Sequence, residues 1–149
     1  MWYRVFGRSE INPEPASLAE HLHAAGLLVE PHFKGDDLGW TSGELRLPTG
    51  TVVLERYLTK QDDLRDDLNA YAAMLETRDD SPNNGMLMQH AIQTKQLITL
   101  CKSIDEADET TERLLEATCR FLALATDGVY QIDDKGWFAA SGELLLREY

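Results

Sequence analysis

The chain has 149 residues, 43% of them hydrophobic, and its 26 acidic against 14 basic side chains leave a net charge of −12. That balance repels a phosphate backbone and argues against nucleic-acid binding, while the apolar content is too high for a disordered chain. No apolar run approaches the ~20 residues of a membrane-spanning helix, the first residues lack the apolar core of a signal peptide, and Cys101 and Cys119 belong to no CxxC or Cys/His spacing; the expectation is a soluble cytoplasmic protein that meets no membrane and holds no disulfide framework, zinc site or cofactor.

Residues 2–8 alternate and are rich in aromatic and β-branched side chains, which predicts a first strand. Pro13 and Pro15 are tolerated only in a first helical turn, and Ser17-x-x-Glu20 has capping-box form. Leu18, Leu22 and Ala25 then make one stripe ahead of Gly26, so a helix is expected here. Residues 27–33 read as a strand, Lys34 to Gly39 as a turn, and residues 40–47 as the returning strand. A further strand over 51–58 follows the Pro48-Thr49-Gly50 turn. Thr59-x-x-Asp62 has the form of a cap for a helix whose buried face carries Leu64, Leu68, Tyr71, Ala72 and Leu75.

Residues 79–85 alone have linker composition. Beyond them the pattern gives a short helix over 86–94, a strand over 95–102 and a helix over 110–125. That last helix is entered through Asp105, Glu106, Asp108 and Glu109, whose charges suit a helix N-terminus. A strand over 129–132, a turn at Asp133-Asp134-Lys135-Gly136 and a returning strand over 137–147, bulged at Ser141-Gly142, complete the chain.

One motif occurs twice. Asp36, Asp37, Gly39, Trp40, Ser42, Gly43, Glu44, Leu45 and Leu47 match Asp133, Asp134, Gly136, Trp137, Ser141, Gly142, Glu143, Leu144 and Leu146 once two residues are inserted after the second Trp. The order of elements around each copy is also alike, so the chain reads as an internal duplication. The expected fold is α+β: one compact domain of two β-α-β-β halves, 1–78 and 86–149, joined by a polar linker at 79–85. Their helices should pack on one face of a mainly antiparallel sheet, in ferredoxin-like layering.

The search for chemistry finds no GxSxG, P-loop, GxGxxG or HExxH sequence. Asp62-Asp63-x-x-Asp66-Asp67 has the letters of a magnesium-binding DDxxD, but in a helix's first turns aspartates complement the dipole. His21 and His23 would point about 200° apart on a helix, unsuited to one metal. Glu55-Arg56-Tyr57 and Arg147-Glu148-Tyr149 are accounted for by cross-strand pairing. The remaining candidates are the duplicated positions: Asp36, Asp37, Trp40 and Glu44 with Asp133, Asp134, Trp137 and Glu143, as ligand-binding residues in a groove between the halves. The reading is a non-catalytic binding or regulatory module for a small molecule or protein partner. The alternatives are a carboxylate-based hydrolase, isomerase or lyase, with or without a divalent ion, and an acidic inhibitor of a basic protein. Duplication supplies within one chain what a homodimer supplies between two, so both monomer and homodimer are compatible with the sequence.

Overall fold

Strand β1 (Tyr3–Gly7) turns Tyr3 and Val5 to one side and Phe6 to the other, and all three are buried. A strand apolar on both faces needs cover on both, and that requirement shapes the molecule. The computed structural model, which describes residues 1–103 and 108–148, places β1 near the middle of a single sheet. The other strands are β2 (Glu30–Asp36), β3 (Gly39–Leu47), β4 (Gly50–Leu58), β5 (Gln96–Lys102), β6 (Gly128–Ile132), β7 (Gly136–Ala139) and β8 (Leu144–Arg147). The helices are α1 (Pro15–Ala24), α2 (Arg65–Glu76), α3 (Asn84–Ile92) and α4 (Glu109–Ala125). The sheet order is β2-β3-β4-β5-β1-β6-β7-β8, and every neighbouring pair is antiparallel.

The α+β class and the antiparallel sheet agree with the sequence; the helices, expected on one face, divide between two. Leu18 and Leu22 of α1 and Leu114, Leu115 and Leu122 of α4 pack on Tyr3, Val5, Leu54, Ile98, Leu100 and Ile132. On the opposite face, Leu68, Ala72 and Leu75 of α2 and Leu87 and Ala91 of α3 pack on Phe6, Leu97, Val129 and Trp137. Each large apolar side chain buried this way is worth about 1.5–3 kcal/mol. The physical reason for the difference is Phe6, Leu97 and Val129, which lie side by side across β1, β5 and β6 and would be wet without α2 and α3.

Local signals were met with variable fidelity. Thr59 and Asp62 do not cap a helix, because α2 begins only at Arg65. Instead the Asp62 carboxylate accepts the Leu58 N–H at 2.7 Å and the Thr59 hydroxyl donates to the Thr94 carbonyl at 3.0 Å, tying the end of β4 to the entry of β5. Ser17 lies inside the first turn of α1, two residues after Pro15, and donates to Glu14. Ser141-Gly142 is no bulge but part of a turn that divides the last strand into β7 and β8, with Gly142 at φ 93° and its N–H donating to the Ala139 carbonyl. Asp108 caps α4 by accepting the Thr110 N–H; Asp105 and Glu106 lie outside the described residues.

A duplicated architecture is not confirmed. Both segments run β-α-β-β-β, as β1-α1-β2-β3-β4 and β5-α4-β6-β7-β8. Their strands nevertheless occupy different places: β6 sits beside β1 near the centre, whereas β2 lies at the sheet edge, beyond β5, β4 and β3. A rotation that exchanged β1 and β5 would carry β6 onto β4, not onto β2. The first connection spans so far because residues 9–13 are pinned over the ends of β4 and β5. The Gln96 amide donates to the Ser9 and Ile11 carbonyls, the buried Arg56 guanidinium to the Glu10 carbonyl, and the Trp40 indole to the Pro13 carbonyl at 2.7 Å.

Candidate functional site

The two Asp-Asp-x-Gly-Trp copies have the same local backbone role. Each opens a hairpin, with Gly39 at φ 110° and Gly136 at φ 139°, conformations that glycine alone adopts freely. An added Cβ at Gly136 would sit 2.0 Å from the Leu146 carbonyl oxygen, which fixes glycine there by space as well. In tertiary space the copies part. Antiparallel pairing places the β2–β3 turn and the β6–β7 turn at opposite ends of the sheet. They are also five strand spacings apart, about 24 Å. Asp36 and Asp37 therefore do not meet Asp133 and Asp134.

The tryptophans also face opposite ways. Trp40 is buried among α1 residues against Phe33, ring centroids 5.0 Å apart. Trp137 is buried on the α2 side against Phe6 at 4.8 Å. Glu44 lies mid-strand in β3 and pairs with Arg46 at 2.9 Å, while Glu143 is an exposed residue of the β7–β8 turn. Asp36 lines a polar recess of about 240 Å³ with Glu55, Arg56, Tyr57 and Asp62, and Glu44 one of about 390 Å³ with His32, Lys34 and Arg46. Asp37 is an exposed turn residue.

Asp133 and Asp134 line one recess and Trp137 an adjoining one, with partners from α2 in both and from Arg4 beside the aspartates. Helix α2 crosses the sheet above β6, β7 and β8, and two adjoining recesses lie along that crossing. The first, about 330 Å³, is walled by Met74, Leu75, Trp137 and Leu146 and has Thr77 and Arg78 at its rim. The second, about 360 Å³, is lined by Arg4, Tyr71, Gln131, Asp133 and Asp134. Met74 and Glu148 border both. The first chamber is apolar, the second carries the charged and amide groups among apolar surface and is called the polar chamber for them, and Glu148 borders both.

A hydrogen-bonded network fixes the polar chamber. The Arg4 guanidinium donates to Asp133 at 2.6 Å and to Gln131 at 2.9 Å. The Gln131 amide donates onward to Asp133 at 3.2 Å and to Glu148 at 3.0 Å, and the Trp137 indole N–H reaches the other Glu148 oxygen at 3.1 Å. Burial pushes the Asp133 carboxyl upward, but the Arg4 and Gln131 hydrogen bonds outweigh it and hold Asp133 below the ordinary carboxylate value. Burial raises the Tyr71 phenol, only partly offset by the Arg4 charge, so it stays a neutral hydroxyl. Arg4 lies 5.8 Å from the Tyr71 ring centre, within cation–π range. The network presents fixed charges and donors to a bound molecule, and its members are already satisfied by one another, so no rearrangement is needed to receive one.

The sequence pattern marks Trp137, Asp133 and Asp134 but not Arg4, Tyr71, Met74, Gln131 or Glu148; Glu148, expected in a cross-strand ion pair, is instead held by the Gln131 amide and the Trp137 indole. Tyr71 falls in the apolar stripe of its helix and so reads as core, and the even spacing of Gln131 in β6 and Asp133 just past its end is the one available sign that they share a face. Among the described residues no group of three or more His, Cys, Asp or Glu side chains is arranged to hold a metal ion. No protein-family model, no curated protein sequence and no solved structure matches the chain.

Proposed function

We propose that the protein is a non-catalytic binding module that takes a small amphipathic molecule in the groove between α2 and the β6–β8 end of the sheet. The observation that carries this reading is a pair of adjoining recesses that share Met74 and Glu148, one walled almost wholly by apolar side chains and the other mixed, with Arg4, Gln131, Asp133 and Asp134 set among apolar surface. Small-molecule sites are concave, mostly apolar, about 300–1,000 Å³ in volume, and oriented by a few fixed polar groups. The first chamber is roughly twice the ~150 Å³ cavity that accepts benzene, room for a single ring or a short alkyl chain. The polar chamber supplies orientation through Arg4, Gln131 and Glu148, whose positions are already set by their mutual hydrogen bonds.

An NMR screen with small alkyl and aryl compounds tests the reading. Binders should perturb amides of Met74, Arg78, Gln131 and Glu148 together, and Met74→Trp, which fills the apolar chamber from an exposed position, should abolish that response. Binders that perturb only the Asp36 or Glu44 recess, or the absence of any binder at millimolar concentration, would reject it.

A further inference from the structure

We infer that the molecule this groove takes carries a positively charged head, a small alkyl- or arylammonium whose apolar part enters the Trp137 chamber while its nitrogen lies against Glu148. The inference rests on the binding reading above and adds the sign of the ligand's charge. Arg4 is matched by Asp133 at 2.6 Å, and Arg78 at the rim is matched by Asp80 at 3.3 Å. Two carboxylates of the groove are left. Among the described residues Asp134 and Glu148 take part in no ion pair.

Their placement differs from that of an ordinary solvated acid. Glu148 is half-buried and held at both oxygens by neutral donors, the Gln131 amide and the Trp137 indole. Neutral donors orient a carboxylate and leave its charge in place, so Glu148 brings an uncompensated negative charge to the junction of the chambers. The apolar walls on one side lower the local dielectric and strengthen its pull on a cation. An ammonium has three donors and a compact charge, which suits a carboxylate that borders both chambers. Asp134 adds a second negative charge at the outer lip of the polar chamber, on a backbone at φ 66° that makes the turn project it. An anionic head would meet two uncompensated carboxylates there, because the Arg4 charge is already taken.

The test uses hexylamine, hexanol and hexanoate, which share one tail and differ in head charge, titrated into the intact protein and followed by amide shifts. Hexylamine should bind about fivefold more tightly than hexanol at low salt, as expected of one charge pair near ~4 Å in a solvated site, and hexanoate more weakly than either. Adding salt should narrow the gap between amine and alcohol. Glu148→Gln should remove most of the amine's advantage, read as the hexylamine-to-hexanol affinity ratio within the variant, because the loss of one of its two accepted hydrogen bonds shifts both ligands alike. Asp134→Asn, at a backbone conformation asparagine tolerates, should reduce the preference in part and guards against a Glu148 variant that fails to fold. Hexanoate binding as tightly as hexylamine, or a preference that survives both substitutions, would overturn the charge assignment and leave the groove reading standing. Failure of all three probes to bind at millimolar concentration would overturn both.

Discussion

Arg56 offers the sharpest test of how the chain reaches its topology. It is a buried guanidinium, 5% exposed, and among the described residues it forms no salt bridge with a carboxylate. Its charge is met by oxygen dipoles: the Gln96 side-chain carbonyl at 2.8 Å, the Trp40 and Leu38 carbonyls at 3.2 Å and the Glu10 carbonyl at 3.4 Å. These bonds gather residues 10, 38 and 40 over the end of β4, where the first connection leaves for the sheet edge. Arg56→Met keeps the apolar stem and removes the fork. Two acceptors, on Gln96 and Trp40, lie in buried hydrogen bonds and become orphans, at about 1–3 kcal/mol each. The Leu38 and Glu10 carbonyls are only partly buried and can turn to water. Against the loss stands relief from burying a charge, which already lowers the Arg56 pKa. The balance expected is a loss of about 3 kcal/mol, or roughly 6–12 °C in Tm for a chain of this size. Urea denaturation followed by tryptophan fluorescence measures it. Because the carboxylates that act on Arg56, those of Asp36 and Glu10, form no direct ion pair with it, 0.5 M salt should narrow the difference only slightly. A Met variant as stable as the parent would show that the pinned connection needs no guanidinium, and pinning by Arg56 could then no longer explain why β2 and β3 lie at the sheet edge.

Three further outcomes follow from particular residues. Gly136→Ala should cost more than about 3 kcal/mol, since its Cβ would meet the Leu146 carbonyl oxygen at 2.0 Å. Gly26→Ala, also at positive φ but facing open space, should cost only about 1 kcal/mol. Equal urea midpoints for the two would contradict the packing argument. His90 is a buried residue of α3 with its ring nitrogen 2.8 Å from the Phe6 carbonyl; burial lowers its pKa, the nearby Arg8 lowers it further, and the Phe6 hydrogen bond and Asp127 act in the opposite sense. The unfolded chain then takes up a proton near pH 6.5 that the folded chain refuses, so stability falls as pH drops below 6.5, by up to about 1.4 kcal/mol per pH unit. His90→Gln should flatten the profile between pH 6.5 and 5.5, and a profile that keeps its slope would place the titration elsewhere. The Thr118 hydroxyl is buried with no hydrogen-bond partner among the described residues; Thr118→Val should therefore raise stability by about 1 kcal/mol, seen as a higher Tm, whereas a destabilised variant would mean that the hydroxyl is satisfied.

What the sequence alone determined is local. Alternation marks β1 and β4, apolar density marks β5, and the 3.6-residue stripe marks α2 and α4, because side-chain burial repeats with backbone geometry. The Asp-Asp-x-Gly turns are legible for the same reason: Gly39 and Gly136 adopt positive φ in both copies through chemistry that needs no distant partner. The tertiary structure alone decided which strand lies beside which. A repeated turn carries no information on the length of the connection before it, and in this chain Arg56, Gln96 and Trp40 send α1 and the first hairpin to the far edge while the second hairpin stays beside β1. That placement separated the paired aspartates, turned Trp40 and Trp137 to opposite faces, and set Tyr71 and Met74 over Gln131, Asp133 and Glu148. The groove is thus a product of contacts between residues about 60 to 130 positions apart, which no pattern of spacing along the chain encodes.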